Sequence, residues 1–198
     1  MLSLARKLSP TITDMIRFDH SHVLVTFHQY TKDKSPSVRK ALADTICNAL
    51  EIHATLEEEI FYPVIRMIDS NEPVIKKSVP EHDEMRSLIA ELRATDPKDE
   101  QHQKLVMDLM RDVIHHVADE ETVLLVEAEK MLSNERLCEL GSEMTKRRMQ
   151  LIAPKAGRIA ADTAIGFSGS TVALVAGAAT TLFAVRHFAK ARRDAHAH

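Results

Sequence analysis

Six residues of this sequence have the types and the spacing needed to hold metal: His20, His53, Glu57, His82, His116 and Glu120. In His53-x-x-x-Glu57 and again in His116-x-x-x-Glu120, an imidazole and a carboxylate stand one helical turn apart on one face, with Cβ atoms roughly 5 to 6 Å apart. Asp19-His20 precedes the first of these motifs by 33 residues, counted His to His, and Glu81-His82 precedes the second by 34. The chain thus carries one half-site twice.

Periodicity puts all six on buried faces. An isolated ionised carboxylate taken out of water costs more than a small domain can spare, so a buried Glu requires a partner. A pair of divalent cations meets that requirement: Glu57 and Glu120, with two oxygens each, can span two ions while two His residues cap each one. Such nitrogen and oxygen ligation accepts several first-row metals, Mn and Zn among them. The competing explanation is a set of buried His–Glu ion pairs with no metal. Duplication of the whole set at matched spacing favours the metal site.

The elements that must position these residues are helices. Ile16, His20, Val23, Leu24 and Phe27 form one stripe over residues 12–31, whereas His22 and His28 fall off it and are expected at the surface. After KDKSPS, Pro36 opens a second helix whose stripe reads Leu42, Ile46, Ala49, His53, Glu57, Ile60, Val64, Met67. Pro63 should kink or end it. Ser78-x-x-Glu81 has the form of a capping box for a third helix, with the stripe Val79, His82, Met85, Ile89, Leu92, although that helix has room to begin earlier. Asp96 as N-cap with Pro97 after it predicts a fourth start, followed by Leu105, Leu109, Val113, His116, Glu120, Val123, Glu127. His115 lines up with Asp108, Arg111, Asp112 and Asp119 on a solvated face, and His102 is expected at the surface beyond the central level.

Two helix pairs with short connections and inward stripes predict an all-α fold, an antiparallel up-down four-helix bundle over residues 1–132 with a C-terminal helical appendage. Five Gly, seven Pro and no Trp in 198 residues agree with helices over strands. The formal net charge of −3, with both signs interspersed, gives no basic footprint for nucleic acid. Cys47 and Cys138 lack CxxC spacing and suggest a reducing compartment. The first twenty residues lack the apolar core of a signal peptide, so the bundle is expected in the cytoplasm.

The pattern resembles the hemerythrin-like, or HHE cation-binding, family over residues 12 to 132. FDH at 18–20, HATLEEEIFYP at 53–63, PEH at 80–82 and HVADEE at 116–121 carry the resemblance. It implies a non-haem di-iron centre with two iron ions, held by His20, His53, Glu57, His82, His116 and Glu120. Oxygen-carrying members have a second His one turn after the third-helix His, and here that position is Arg86. The departure speaks against simple oxygen carriage and leaves a coordination position for water, substrate or another oxygen donor.

Beyond the bundle, residues 133–158 read as a short amphipathic helix and linker, and 159–198 as an apolar helix with a basic tail. Residues 163–185 run uncharged for 23 positions, long enough for a membrane anchor, and Gly169, Ala173, Gly177 and Thr181 form a small-residue face suited to a homo-dimer. Three classes of function stay open. One is a protein that binds, senses or stores, with dioxygen, nitric oxide or peroxide as the small ligand, or iron itself. The second is a di-iron oxidoreductase consuming peroxide or nitric oxide, for which the chain shows no CxxC, flavin or haem fingerprint to supply electrons. The third is a membrane-tethered structural bundle.

Overall fold

The computed structural model describes residues 10–69 and 73–168, and all its regular elements are helical. Helix α1 spans Ile12–Gln29 and opens on a capping box, Thr11 with Asp14. Helix α2 spans Pro36–Leu56, with Ser35 accepting from the Val38 N–H and Pro36 at the first turn, as the sequence predicts. A π-helical turn, Glu57–Phe61, joins α2 to α3 at Tyr62–Ile68, so the rod runs on past Pro63. Helix α4 covers Pro73–Ala94 and α5 covers Glu100–Asp119. A second π turn, Glu120–Leu124, leads into α6 at Leu125–Met131.

Pairs between rods fix the topology. Arg17 meets Glu129, His20 meets Glu121 and Tyr30 meets His102, so α1 runs antiparallel to the last rod. Glu51 with Arg93 and Glu58 with His82 give the same relation between the α2 rod and α4. This is the expected up-down bundle. Its core divides into two apolar clusters, one around Phe27, Ile46, Ile89 and Leu109 and the other around Ile16, Leu56, Phe61 and Leu124. The six His and Glu residues lie in the layer between them, because each occupies the stripe position between residues of the two clusters.

Several sequence expectations need correction. Ser78 is no N-cap: α4 begins at Pro73, and the buried Ser78 hydroxyl donates to the Val74 carbonyl one turn back. Asp96 accepts from the Lys98 N–H in a turn, and Asp99 caps α5 instead. His102 is buried, not at the surface, since Tyr30 reaches down to close the end of the bundle and its hydroxyl pairs with His102 Nδ1 at 2.7 Å. His28 and His115 are exposed as expected, while His22 is half-buried.

The inward stripe also changes phase after each motif. Met67 is 77% exposed and Val123 and Glu127 are only half-buried, while Phe61, Tyr62, Ile65, Leu124, Leu125 and Ala128 are buried. A π turn inserts one residue into an α-helix, which rotates everything beyond it by about 100°. No simple period anticipates that insertion. At Pro63 the wider turn also spares the ring its clash with the carbonyl four residues back.

Helix α7, Asn134–Ile152, packs along α1, placing Leu137, Leu140 and Met144 in the second cluster. Gly141 permits the approach, because a Cβ there would stand 2.3 Å from the Pro10 carbonyl oxygen. A short 3₁₀ turn, Ala153–Lys155, then leads to α8, Ala156–Gly166, which lies on α2 with Phe167 buried in the first cluster. The uncharged segment read as an anchor therefore does not begin as one helix at residue 163. Its first residues finish α8 against the bundle, and the rest lies outside the described residues. Among the described residues no helix is long and apolar enough to cross a membrane.

Gly141→Ala should lower unfolding free energy by about 1 to 3 kcal/mol, since the new methyl meets backbone that must move. Gly157→Ala, where nothing lies within 4 Å, should raise it by about 0.5 to 1 kcal/mol. Urea titration of the two variants checks both signs.

Candidate metal centre

The two π turns begin at Glu57 and Glu120, the only acidic side chains among the described residues with no exposed surface at all. Around them stand four imidazoles. His53 Nε2 lies 3.2 Å from Glu57 Oε2 and His82 Nε2 lies 3.5 Å from the same oxygen. His116 Nε2 and His20 Nε2 each lie 3.3 Å from Glu120 Oε2. The rings meet edge to face in pairs, His20 with His53 at 4.9 Å and His82 with His116 at 4.7 Å between centroids. All six predicted residues converge.

What aims the imidazoles is a second set of carboxylates, adjacent in sequence to the first. His20 Nδ1 donates to Glu121 at 2.9 Å and His82 Nδ1 to Glu58 at 2.8 Å. His116 Nδ1 donates to Glu81 at 2.8 Å and His53 Nδ1 to Asp19 at 3.4 Å. An ionised carboxylate only accepts, so each bond fixes a proton on Nδ1 and leaves Nε2 as the nitrogen directed inward, a ligand atom wherever it carries no proton. The arrangement repeats across the pseudo-two-fold axis, bond for bond. The doublets Asp19-His20, Glu57-Glu58, Glu81-His82 and Glu120-Glu121 were the available signal for it in the sequence.

Two features break the symmetry. Tyr62, fully buried, donates its hydroxyl to Glu120 Oε1 at 2.7 Å and to Glu57 Oε2 at 3.2 Å, and its ring stacks on His82. The matching position in the other half is Leu125. Arg86, which stands where oxygen carriers have a further His, turns outward and forks onto both oxygens of Glu58 at 2.8 and 2.9 Å. It thus holds the carboxylate that orients His82. Beside His82, Tyr62 Oη and Glu57 Oε2 each lie 3.5 Å from its Nε2.

Without metal the cluster balances its own charge with protons. Burial opposes a cationic His116, yet Glu120 and Glu81 carry its pKa up to about 10. His53 is likewise raised, with Glu57 and Asp19 outweighing burial. His82 is pushed down to about 4, by burial and then by its cationic neighbours His116 and His53. Against burial, His116 and His20 hold Glu120 well below the carboxylate range. Burial and the two carboxylates keep the Tyr62 hydroxyl protonated. Even so, His20 Nε2, His53 Nε2, Glu57 Oε1 and Glu120 Oε2 are buried with no hydrogen-bond partner.

A bound cation would satisfy those orphaned atoms. Ligand atoms of His20, His53, Glu57 and Glu120 lie within 4.8 Å of one another, as do those of Glu57, His82 and His116. Glu57 belongs to both groups, so the donor set suits two cations sharing carboxylates. Tyr62, Arg86 and the four orienting carboxylates were not singled out as site residues from sequence.

His116→Ala should remove most metal uptake, whereas exposed His115→Ala should leave it near wild type; metal content of the two purified variants decides, and equal losses would show the helix phase to be wrong. Tyr62→Phe should cost the metal-free protein about 2 kcal/mol, the scale of hydrogen bonds to charged groups, as read from denaturation in the presence of chelator.

Residues 11–128 match the family described as Hemerythrin HHE cation binding domain. A DNA nickase of Nostoc sp. (strain PCC 7120 / SAG 25.82 / UTEX 2576) is 27% identical over 145 residues, which cover 73% of this chain and 41% of the nickase. The chain therefore spans about two-fifths of that relative's length. No solved structure matches it. The family match takes in more than half the sequence and every one of the six converging residues, and the chain belongs to the hemerythrin HHE cation-binding domain family.

Proposed function

We propose that this chain holds a pair of non-haem iron ions and uses them to bind or sense a small ligand such as dioxygen, nitric oxide or peroxide. The observation that carries this reading is the set of four Nδ1–carboxylate bonds, which point four imidazole Nε2 atoms at two buried carboxylates with unsatisfied oxygens. His20, His53 and Glu57 with Glu120 would hold one ion, and His82, His116 and Glu57 the other. When bound, the pair would supply a redox-active site with affinity for diatomic-sized ligands.

The protein's own contribution is to orient, neutralise and exclude water. The apolar clusters above and below the layer keep the dielectric low, so small ligands are favoured over polymers. Tyr62 holds a proton between the two carboxylates, within the layer of the four imidazoles. That hydroxyl also favours a second reading, an oxidoreductase consuming peroxide or nitric oxide with electrons from an external donor. DNA nicking is not carried over from the relative, since a buried cluster of this kind lies out of reach of a phosphodiester.

Full-length protein produced in iron-replete medium should contain two iron ions per chain by elemental analysis. Its optical spectrum should change when dioxygen or nitric oxide is added to the reduced, anaerobic protein. One metal ion or none would overturn the di-iron reading, and a spectrum indifferent to dioxygen, nitric oxide and peroxide would overturn the ligand-binding one.

A further inference from the structure

The residues matching the family end at 128, yet α7 begins at Asn134 and reaches back into the centre. Leu137, Gly141, Met144 and Arg148 share one face of α7, spaced by three and four residues. The first three seat the helix on α1. Arg148, one turn on, forks onto Asp19, with Nη1 2.5 Å from Oδ1 and Nη2 2.6 Å from Oδ2. Asp19 Oδ2 is the same oxygen that accepts from His53 Nδ1.

The contact differs from an ordinary surface ion pair. Asp19 and Arg148 side chains are 14% and 22% exposed, and the geometry is bidentate, which fixes orientation as well as charge. The His53–Asp19 bond, at 3.4 Å, is the longest of the four orienting bonds and cannot by itself hold the carboxylate against water. The guanidinium therefore determines where that carboxylate stands. Arg86 performs the same task for Glu58 on the opposite side, from within the bundle.

We infer that Arg148 is a positioning residue of the metal centre, which makes α7 part of the site: by clamping Asp19 it fixes the ring of His53 and so governs how firmly the ion at His20, His53, Glu57 and Glu120 is retained. The inference rests on the metal reading above. Neighbouring Arg147 supplies the control, since it makes a comparable two-bond fork onto Glu59, at 2.6 and 2.9 Å, but both partners are more exposed and no hydrogen bond joins Glu59 to an imidazole of the cluster.

The test loads the full-length wild type, Arg148→Met, Arg148→Lys, Arg147→Met and Asp19→Asn with iron and follows its transfer to an excess of chelator. Melting of each metal-free protein is recorded alongside. Arg148→Met should release one of its two ions about tenfold faster than wild type, the usual scale for loss of an outer partner of a metal-bound His. Arg147→Met should release both at the wild-type rate, and Arg148→Lys should recover part of the loss. Asp19→Asn should match Arg148→Met, and combining the two should add little. If Arg148→Met does not fold, Arg148→Lys carries the comparison: release at the rate of Arg147→Met would overturn the role of Arg148. Release from Arg148→Met or Asp19→Asn no faster than from Arg147→Met would overturn the role of Arg148 while leaving the metal centre intact. Failure of the wild type to take up metal would overturn both.

Discussion

Everything in this bundle is arranged around two carboxylates that no solvent reaches. Placing Glu57 and Glu120 in an apolar layer costs more than the packing of so small a core returns, unless each oxygen finds a positive or donating partner. Four imidazoles, one phenol and a ring of outer carboxylates answer part of that demand, leaving Glu57 Oε1 and Glu120 Oε2 without a hydrogen-bond partner, and these groups come from every rod of the bundle. The up-down topology follows from the same demand, since only antiparallel rods bring His20 to Glu121 and Glu58 to His82 at one level.

The apolar clusters on either side of this layer stabilise the fold, but the layer sets its register. A slip of one turn between any two rods would move an imidazole away from its carboxylate and bury two unpaired charges. Polar layers of this sort specify a unique arrangement more strictly than Leu and Ile can, because an unsatisfied polar group at low dielectric is penalised more heavily than a poorly packed methyl.

Much of this was legible in the sequence. The three-and-four spacing of His53, Glu57, His116 and Glu120 pointed to the helices, their inward faces and the residues that converge in the core, because a period of 3.6 residues is a local property. Three parts were not legible. The π turns are an insertion with no compositional mark, so the phase beyond each Glu, and with it the burial of Tyr62, lay one residue off the simple stripe. His102 sits on the stripe but its burial depends on Tyr30, some seventy residues away. Arg86 stood out only as a missing His and Arg148 was not singled out at all, and only the folded chain shows that their partners are the carboxylates behind the imidazoles.

The crossing of two orienting bonds bears on how such a chain could arise. His20 is aimed by Glu121 and His82 by Glu58, so each helix pair holds every residue type of the centre but lacks the partner for one of its own imidazoles. A single pair, as an ancestor, would complete the centre only by associating with a second copy of itself about a true two-fold axis. Fusion of two such copies would preserve those bonds while freeing each half to diverge. Tyr62 matched by Leu125 in the other half breaks that symmetry: a homodimer would carry two phenols or none, and this chain carries one.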